Sequence, residues 1–528
     1  MKTGKPAATL AIDLGTSGPK VALVSTEGEI LGCEFEPNTF DLLPNGGAEQ
    51  RPGDWWQAIV TAAGRLLKQV QLPREDIVAV SCTSQWSGTV AVDRNGQPLM
   101  NAVIWMDARG APYIQEMCAG RLNLQGYDIA KLITWLRYTG GMPTRAGKDP
   151  IAHILFIKNE LPEIYRQTYK FLEPKDYLNL RLTGRFAATF DSISLYWLTD
   201  NRRIDQVDYH PRLLRMSGLD RDKLPDLCQA RHVIGPLQPQ AAAELGLSPG
   251  LPVIGGTPDL HSAAIGSGAV KDFEAHLYVG SSSWIACHVP FKKTDALHNI
   301  ASVPSALPGS YLVVNEQECA GLCLTYLRDS LFYPQDELSQ GPCPPDSYAA
   351  FDRIAVKAPP GSGNLIFTPW LYGERTPVED HLLRGGFFNL SLTTDRARLV
   401  RAVYEGVAYN SRWLLGYIEK FTRRPVESLN MVGGGAKSDV WCQIFADVLD
   451  RPIHQVKDPI YANVRGAGFL AALALGYLRR EQISERIQIA RTYLPDPGNR
   501  QVYDSLFREF LNLYKIQRPA FARLNRKV

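Results

Sequence analysis

The chain has 528 residues, a length that predicts more than one domain. Hydrophobic residues make up 45% and charged residues 21%, and a net charge of +3 with no basic patch argues against a nucleic-acid partner. The apolar runs are shorter than the roughly 18 residues of a membrane span, and the N-terminus does not read as a signal peptide. We therefore predict a cytoplasmic protein with no membrane partner.

The nine cysteines are scattered, odd in number and without a C-x-x-C pair. Cys319 and Cys323 lie four apart, but no further His or Cys completes a metal site there. Free thiols in a reducing compartment are therefore expected rather than a disulfide framework.

The first predicted elements are two apolar strands joined by a short turn, in TLAIDLGTSGPKVALVS, residues 9–25. The turn region carries more functional groups than a turn requires, namely Asp13, Thr16, Ser17, Gly18 and Lys20. Hydroxyls, backbone N–H groups and a lysine that converge on a glycine turn suit a phosphate. Two interpretations stay open here: a phosphate-binding turn, or an ordinary hairpin in which Asp and Ser favour the turn.

The same pattern recurs in AHLYVGSSSWIACHV, residues 275–289, where the turn begins at Gly280 and Ser281. Two such hairpins about half a chain apart indicate an internal duplication, although Gly–Ser turns are common enough for coincidence. We place the domain boundary after residue 270, which gives an N-terminal domain over 1–270 and a C-terminal domain over 271–528.

Two glycine-rich turns follow other predicted strands. In LPVIGGTPDLHSAAIGSGAV, residues 251–270, the turn falls at Pro258, and a helix of small residues follows Asp259. In SLNMVGGGAKSDVWCQIFADVL, residues 428–449, three glycines separate a strand from a helix with Ser438 at its N-cap. A glycine turn before a helix N-terminus suits a nucleotide, but it also occurs for packing alone.

Strands and helices alternate in two comparable halves, so we predict an α/β protein. Neither a G-x-x-x-x-G-K-[ST] loop nor a G-x-G-x-x-G fingerprint is present. If the chain binds a nucleotide, it must do so with another architecture.

Together these stretches resemble the motifs of the FGGY carbohydrate kinases, the sugar-kinase branch of the actin-like ATPases. DLGTSGPK is similar to the family's first phosphate motif, VGSSSW to the second, GGTPD to the catalytic stretch and MVGGGAKSDVWCQIFADVL to the adenosine motif. SQWSGTVAVDRNGQPLMNAVIWMDARG, residues 84–110, resembles the sugar-binding stretch, and FTPWLYGERTPVED and RAVYEGVAYNSRWLL resemble further signatures. The motifs follow the family's order over most of the chain.

The resemblance implies two actin-like, ribonuclease H-like α/β domains with a cleft between them. It implies sugar binding mostly by residues 1–270 and ATP binding mostly by residues 271–528, with Mg²⁺ as cofactor. The implied reaction moves the γ-phosphoryl group of ATP to a primary hydroxyl of a sugar. Within the family the chain is most similar to the xylulose kinases, so a ketopentose such as D-xylulose is the expected substrate. Ribulose, erythrulose, glycerol and gluconate are the alternative substrates, and a homodimer is kept among the expected assemblies.

The resemblance also assigns roles to individual residues. Asp259 would accept the hydroxyl proton, and Asp13 would orient hydrated Mg²⁺ through water. The implied ATP-binding residues are Thr16, Ser17, Gly18, Lys20, Ser281, Gly321, Gly435 and Asp439. The implied sugar-binding residues are Gln85, Trp86, Ser87, Trp105 and Asp107.

Two departures from the family pattern affect these expectations. Pro19 lies in the phosphate turn and has no N–H to donate. Trp86 and Ser87 stand where xylulose kinases carry Met and His, and where glycerol kinases carry Arg and Glu, so the contacts to sugar hydroxyls must differ.

A non-metabolic actin-like ATPase and a catalytically silent sugar sensor are the functions outside sugar kinases that we weighed. The sugar-binding stretch beside a base like Asp259 argues against the first. Intact Asp13 and Asp259 argue against the second.

Overall fold

Two β-sheets organise the computed structural model of the chain, which describes residues 7–338 and 341–525. The first sheet has six strands, ordered β5-β6-β4-β1-β2-β3 across the sheet. In chain order these are β1 (Ala8–Gly15), β2 (Gly18–Ser25), β3 (Ile30–Phe35), β4 (Ile77–Ser84), β5 (Val233–Pro236) and β6 (Pro252–Pro258).

The second sheet has eight strands, ordered β9-β10-β11-β8-β7-β12-β13-β14. In chain order these are β7 (Ala275–Val279), β8 (Ser283–Val289), β9 (Thr294–Asp295), β10 (Ile300–Pro304), β11 (Tyr311–Val314), β12 (Leu429–Val432), β13 (Ile453–Val456) and β14 (Ile489–Tyr493). In both sheets a hairpin pairs through its first strand with a parallel neighbour, β1 with β4 and β7 with β12. The same arrangement therefore occurs twice, as the duplicated sequence pattern predicts.

Short strands outside the two sheets pair within the connections. They are Asp41–Leu42, Ala48–Gln50, Val90–Val92, Ala102–Val103, Asn123–Leu124, Tyr127–Asp128, Lys170–Leu172, Ala187–Thr189, Thr199–Asp200, Asp208–Tyr209, Asp226–Cys228, Ile366–Thr368 and Gly386–Phe388. Between β4 and β5 the chain also forms a largely helical region with its own core, which includes Ile114, Trp135, Ile151, Phe171 and Tyr196.

Helices cover both sheets and fill the connections. Those before residue 270 are α1 (Pro52–Val70), α2 (Ala111–Cys118), α3 (Ile129–Tyr138), α4 (Pro150–Glu160), α5 (Pro162–Gln167), α6 (Pro174–Thr183), α7 (Pro211–Ser217), α8 (Pro239–Leu245) and α9 (Asp259–Gly266). Those after it are α10 (Gly321–Tyr326), α11 (Ser347–Ala355), α12 (Arg396–Thr422), α13 (Asp439–Leu449), α14 (Ala462–Ala474), α15 (Arg480–Arg486) and α16 (Arg500–Asn525). No helix in the described part of the chain is long and apolar enough to cross a membrane.

Each sheet buries one face against helices of its own half. In the first sheet, Leu10 and Ile12 of β1 pack in one core with Trp55 and Ile59 of α1. In the second sheet, strand β7 packs in a core with α12 and α13, as alternating side chains of a strand require. These cores are continuous and are built from large apolar residues, so each sheet has its own stabilising layer.

The other face of each sheet packs against a helix that comes from the opposite half of the chain. Helix α14 lies on the first sheet, where Val464 and Ala467 contact Ala11 and Ala22. Helix α9 lies on the second sheet, where Ala263 packs with residues of β8. The two helices therefore link the halves, while the predicted boundary after residue 270 stays a prediction.

Helices α9 and α14 cross at very short range. A Cβ atom on Gly266 would lie 1.8 Å from the Ala462 carbonyl oxygen, and one on Gly466 would lie 2.0 Å from the Ser262 carbonyl oxygen. The Ser262 hydroxyl also donates a hydrogen bond of 2.7 Å to the Asn463 carbonyl oxygen. Glycine is required at both positions because any side chain would meet backbone atoms.

We expect Gly466→Ala to destabilise the protein by about 1–3 kcal/mol or more, because the new methyl group meets a backbone carbonyl that cannot rotate away. Gly416→Ala is the matched control. Gly416 lies inside α12, and a Cβ atom there would meet nothing within 4 Å. The control should gain about 0.5–1 kcal/mol. Thermal unfolding of the two variants beside the parent measures both effects, and equal melting temperatures would contradict this account of the crossing.

Candidate active site

The predicted site residues converge because parallel strands end at the same edge of a sheet. Asp13 of β1 lies opposite Thr83 of β4, and Ser84 lies opposite Pro258 of β6. The residues that follow these strands, including Gln85 and Asp259, therefore meet at one edge. Ligands of open α/β sheets bind in the crevice at this edge.

The first hairpin turn and the sugar-binding stretch are joined by a closed ring of hydrogen bonds. The Thr16 hydroxyl accepts from Trp105 Nε1 at 3.0 Å and donates to Gln85 Oε1 at 2.8 Å. Gln85 Nε2 donates to Gln50 Oε1 at 2.7 Å, and Gln50 Nε2 donates to the Thr16 carbonyl at 2.8 Å. Sequence reasoning missed Gln50, because no motif surrounds it. The ring commits the Thr16 hydroxyl to these partners and leaves Ser17 as the exposed side chain of the turn.

Gly18 and Pro19 shape the same turn. Gly18 has φ of 141°, and a Cβ atom there would lie 2.1 Å from the Glu36 carbonyl oxygen. Pro19 lies at the start of β2, where its carbonyl accepts a hydrogen bond of 3.1 Å from the Glu36 backbone N–H. The backbone directly after β3 thus packs against the turn, and Pro19 fits at this position without distorting the hairpin register.

Asp13 and Lys20 form an ion pair at the base of this turn. Asp13 is 3% exposed, and Lys20 Nζ lies 3.3 Å from Asp13 Oδ2. The Asp13 carboxylate raises the pKa of Lys20, so the lysine stays charged. Asn463, at the start of α14, donates to Asp13 Oδ1 at 3.5 Å and is a second residue that sequence reasoning missed.

Asp259 is the first residue of α9 and keeps part of its side chain exposed. One of its carboxylate oxygens accepts from the Leu260 backbone N–H at 2.8 Å. Burial, with a further contribution from the negative charge of Asp13, raises the pKa of Asp259 to about 8. A carboxyl with a pKa near the operating pH holds a transferred proton more strongly than an ordinary aspartate does, and its ionised fraction can act as a general base.

Trp86 and Ser87 lie directly after β4, with most of their hydrogen-bonding capacity already used. The indole N–H of Trp86 donates to the Ser192 carbonyl at 2.9 Å, and its ring meets His261 edge-on at a centroid distance of 5.1 Å. The Ser87 hydroxyl donates to the Lys148 carbonyl at 2.7 Å. Trp86 can therefore offer a ligand its ring, and Ser87 can offer it an acceptor oxygen.

Asp107 is 0% exposed, and both of its oxygens are occupied by neighbours in its own half of the chain. Oδ2 accepts from the Ala48 backbone N–H at 2.8 Å and from Arg109 Nε at 2.9 Å, and Oδ1 accepts from the Arg109 backbone N–H. These contacts hold the loop that carries Trp105. Direct sugar binding by Asp107 stays a prediction.

The edge of the second sheet brings together the predicted nucleotide residues. Ser281 is exposed in the turn of the β7–β8 hairpin, and a Cβ atom on Gly321 would lie 2.5 Å from the Gly280 carbonyl oxygen. On the other side of β7, a Cβ atom on Gly435 would lie 2.5 Å from Val279 Cγ1. The two glycines thus allow α10 and the loop after β12 to approach the hairpin turn closely.

Asp439 begins α13, next to the Ser438 N-cap that the sequence predicts. Its side chain is exposed, with Oδ1 accepting from the Tyr493 hydroxyl at 2.6 Å and from Gln455 Nε2 at 3.2 Å. It therefore lies at the outer end of the glycine loop, beside rather than inside the hairpin turn.

A charged wall from the second half of the chain lies across the cleft and was missed by sequence reasoning. Arg375 pairs with Glu316 and with Glu318, at 2.5 and 2.9 Å. Lys148 reaches over from the first half, with Nζ 3.9 Å from Glu318 and 4.9 Å from the Tyr372 ring centroid. Glu316 is also close enough to Asp259 to add to the rise in its pKa.

Two sheets of this order, in each of which a hairpin pairs with a parallel strand, define the actin-like, ribonuclease H-like α/β fold. The comparisons with known proteins give the family.

Residues 8–266 match the N-terminal domain, and residues 284–475 the C-terminal domain, of the FGGY family of carbohydrate kinases. The chain belongs to this family and is a sugar kinase, a phosphotransferase. It is 27% identical to the xylulose kinase of Bacillus subtilis over 96% of each chain. It is 26% identical to the gluconokinase of the same organism, over 96% of this chain and 95% of that one. The ligand-bound xylulose kinase of Lactobacillus acidophilus superimposes with a TM-score of 0.83 at 25% identity, over 98% of this chain and all of that one.

Kinases of this family use ATP with Mg²⁺, and the residues at the first hairpin fit that metal. Mg²⁺ takes oxygen ligands, keeps several waters and is bound through one or two carboxylates together with substrate phosphates. Asp13 supplies one buried carboxylate whose contacts to Lys20 and Asn463 are long, at 3.3 and 3.5 Å. Within the described residues no group of three or more His, Cys, Asp or Glu side chains forms a metal cage. This donor set suits a hydrated ion that arrives with the nucleotide.

We expect Asp259→Asn to lower kcat by about 100-fold or more, because the amide keeps the shape of the carboxylate but cannot accept a proton. Initial rates of ADP release at saturating Mg²⁺ and ATP measure the effect. Near-parental turnover in this variant would show that the proton leaves by another route.

The raised pKa of Asp259 also predicts a pH-dependent effect on stability. In the unfolded chain an aspartate ionises near pH 4, while in the folded protein it keeps its proton until about pH 8. Folding stability therefore falls as the pH rises between these values. Asp259→Asn, which never ionises, should melt with the parent at pH 4 or below and above it at pH 8. A melting-temperature difference that does not change across this window would contradict the raised pKa.

Proposed function

We propose that this kinase transfers the γ-phosphoryl group of ATP to a primary hydroxyl of a neutral ketopentose, with D-xylulose as the first candidate. The observation that supports the proposal is the position of Asp259, at the sheet edge where β1 and β4 also end and close enough to Asp13 and to Glu316 of the second half for their charges to act on it. Phosphoryl transfer needs little covalent help from the protein, so positioning and charge compensation make up most of the catalysis.

In this proposal Asp259 accepts the proton of the attacking hydroxyl. Lys20, kept charged by Asp13, compensates the charge of the phosphates, and Ser17 and Ser281 contact phosphate oxygens from opposite sides. The Mg²⁺ that accompanies ATP neutralises charge on the transferred group. The ring that joins Thr16 to Gln85 fixes the phosphate turn relative to the sugar-binding loop, so the two substrates meet in one geometry.

The charges of the cleft favour a neutral sugar over an aldonate. The two cations of the charged wall, Lys148 and Arg375, are each paired with carboxylates. An aldonate would bring its own carboxylate close to Asp13, Asp259 and Glu316 without an unpaired cation among these groups, and like charges at short range are repulsive. These charges support a neutral sugar rather than gluconate as the substrate of this chain.

The sugar-binding loop favours a substrate that presents a hydroxyl to Ser87. The Ser87 proton is already donated to Lys148, so the oxygen can accept from one sugar hydroxyl. Trp86 adds an aromatic surface beside it, oriented by its bond to Ser192. A site that pairs with a hydroxyl rejects analogues without that group, because its own polar atom is then left unpaired.

We expect a coupled ADP-release assay over D-xylulose, D-ribulose, erythrulose, glycerol and gluconate to give the highest kcat/KM with a ketopentose and a steep fall to gluconate. Ser87→Ala should raise the KM for that sugar about tenfold and leave the KM for ATP unchanged, as loss of one hydrogen bond predicts. Ser217→Ala is the matched control, because that hydroxyl bonds the Leu214 carbonyl at the end of α7, outside the loop that follows β4.

Gluconate or glycerol as the best substrate, with ketopentoses inert, would overturn the proposed substrate class. ADP release that no sugar in the panel stimulates would likewise overturn it. A Ser87→Ala variant with an unchanged KM would show that specificity is read elsewhere.

A further inference from the structure

A pair of charged residues is wholly buried behind the site. Lys175 and Asp176, in the first turn of α6, are both 0% exposed and form an ion pair. Taking two charges out of water is costly, and a buried pair is often no more stabilising than apolar residues of the same size. Stability alone therefore does not explain the pair, and its other hydrogen bonds indicate its role.

The first of these contacts is to strand β6, which ends directly before Asp259. Against β4, Ile254 lies opposite Ser81 but Thr257 lies opposite Thr83, so β6 carries one extra residue in a bulge. Gly256 within the bulge has φ of 71°, and a Cβ atom on it would lie 2.0 Å from the Cys82 carbonyl oxygen. Bulges re-aim the residues that follow them, which here are Pro258 and Asp259.

Two side chains of α6 donate hydrogen bonds to the backbone of the bulge. The Gly255 carbonyl accepts from Lys175 Nζ at 2.9 Å and from Asn179 Nδ2 at 2.7 Å. A carbonyl oxygen has two lone pairs, so these two donors satisfy it fully. The Thr257 hydroxyl, on the other side of the bulge, donates to the buried Asp191 carboxylate.

The second contact leads to the sugar-binding loop. The Ser192 hydroxyl donates to Asp176 Oδ2 at 2.8 Å, and the Ser192 carbonyl accepts from Trp86 Nε1 at 2.9 Å. One buried chain of hydrogen bonds thus runs from Trp86 through Ser192 and the ion pair to the Gly255 carbonyl. It connects the loop that meets the sugar with the strand that presents the base.

We propose that Lys175 is a positioning residue for phosphoryl transfer. It fixes the bulge that aims Asp259, and through Asp176 and Ser192 it sets this strand relative to Trp86. The inference rests on the proposed role of Asp259. A misplacement of about 1 Å costs on the order of 100-fold in rate, so a residue that touches no substrate can still control kcat.

The test uses Lys175→Met and Asn179→Leu, which remove the two donors to Gly255 one at a time. Lys175→Met/Asp176→Leu is a third variant, because it leaves no unpaired buried charge if the single lysine variant does not fold. We expect each folded variant to lose kcat by about 10- to 100-fold with D-xylulose, while the KM for ATP stays unchanged.

The control is Lys170→Met. This ammonium is also largely buried and donates to two backbone carbonyls, those of Asp222 and Leu224, away from β6. Its loss should lower the melting temperature and leave kcat unchanged. Equal loss of kcat in this control would show that any destabilisation of the first half slows the enzyme.

A double variant that includes Asp259→Asn distinguishes a positioning role from a merely structural one. In an Asp259→Asn background, Asn179→Leu should cause little further loss of kcat, because it acts through a base that is already absent. Losses that multiply fully in the double variant, or folded variants with parental kcat, would overturn the inference.

The inference and the proposed function fail in different ways. Parental kcat in Asp259→Asn would remove the role of the base, whatever Lys175 does. No turnover of D-xylulose by the parent would remove the proposed sugar. The variants would then be compared on whichever sugar of the panel the parent phosphorylates, and the coupling to Asp259 would be read there.

Discussion

The close crossing of α9 and α14 is the constraint on which the rest of the structure depends. Each helix packs on the sheet of the opposite half, and Gly266 and Gly466 allow their backbones to touch. Helix α9 begins at Asp259, and α14 begins beside Asn463, which reaches Asp13. The crossing therefore sets how closely the edge of the first sheet, with Asp13 and Asp259, approaches the hairpin turn at Ser281 in the second sheet, and a wider contact would move the two apart.

The site itself follows from repeating one arrangement twice. In each half, a hairpin turn and the end of a parallel strand lie at the same sheet edge. The polar residues of the two therefore lie close together without an additional loop. Asp13 of the first half and Glu316 of the second half both lie close to Asp259. Their negative charges help to raise the pKa of Asp259. In the proposed function, the same accumulation of charge makes Asp259 the base and disfavours an anionic sugar.

Much of the fold could be predicted from the sequence, because short local patterns of residues determine its turns. The two glycine hairpins, the small-residue helix after Asp259 and the Ser438 N-cap all have short-range patterns, and their order gave the fold class and the family. The residues that escaped prediction contribute through long-range contacts. Gln50 meets Thr16 only after the sheet forms, and Arg375 meets the cleft only after the halves dock.

Burial was the other quantity that the sequence did not reveal. Lys175 and Asp176 look like surface charges in a polar stretch, yet both are enclosed, and Asp107 looks like an open sugar ligand, yet Arg109 and Ala48 occupy its oxygens. Charge and hydrogen-bonding capacity are local properties of a residue, whereas exposure is decided by the whole fold.

The central claim is that both sheet edges act on one reacting centre, with Asp259 at the hydroxyl and the two hairpin turns at the phosphates. A crystal structure with a non-hydrolysable ATP analogue, Mg²⁺ and the preferred sugar tests it most directly. We expect an Asp259 carboxylate oxygen about 2.6–3.2 Å from the primary hydroxyl, and phosphate oxygens in contact with both the 15–20 turn and Ser281. A sugar whose reactive hydroxyl lies away from Asp259, or phosphates held by one hairpin alone, would contradict the account.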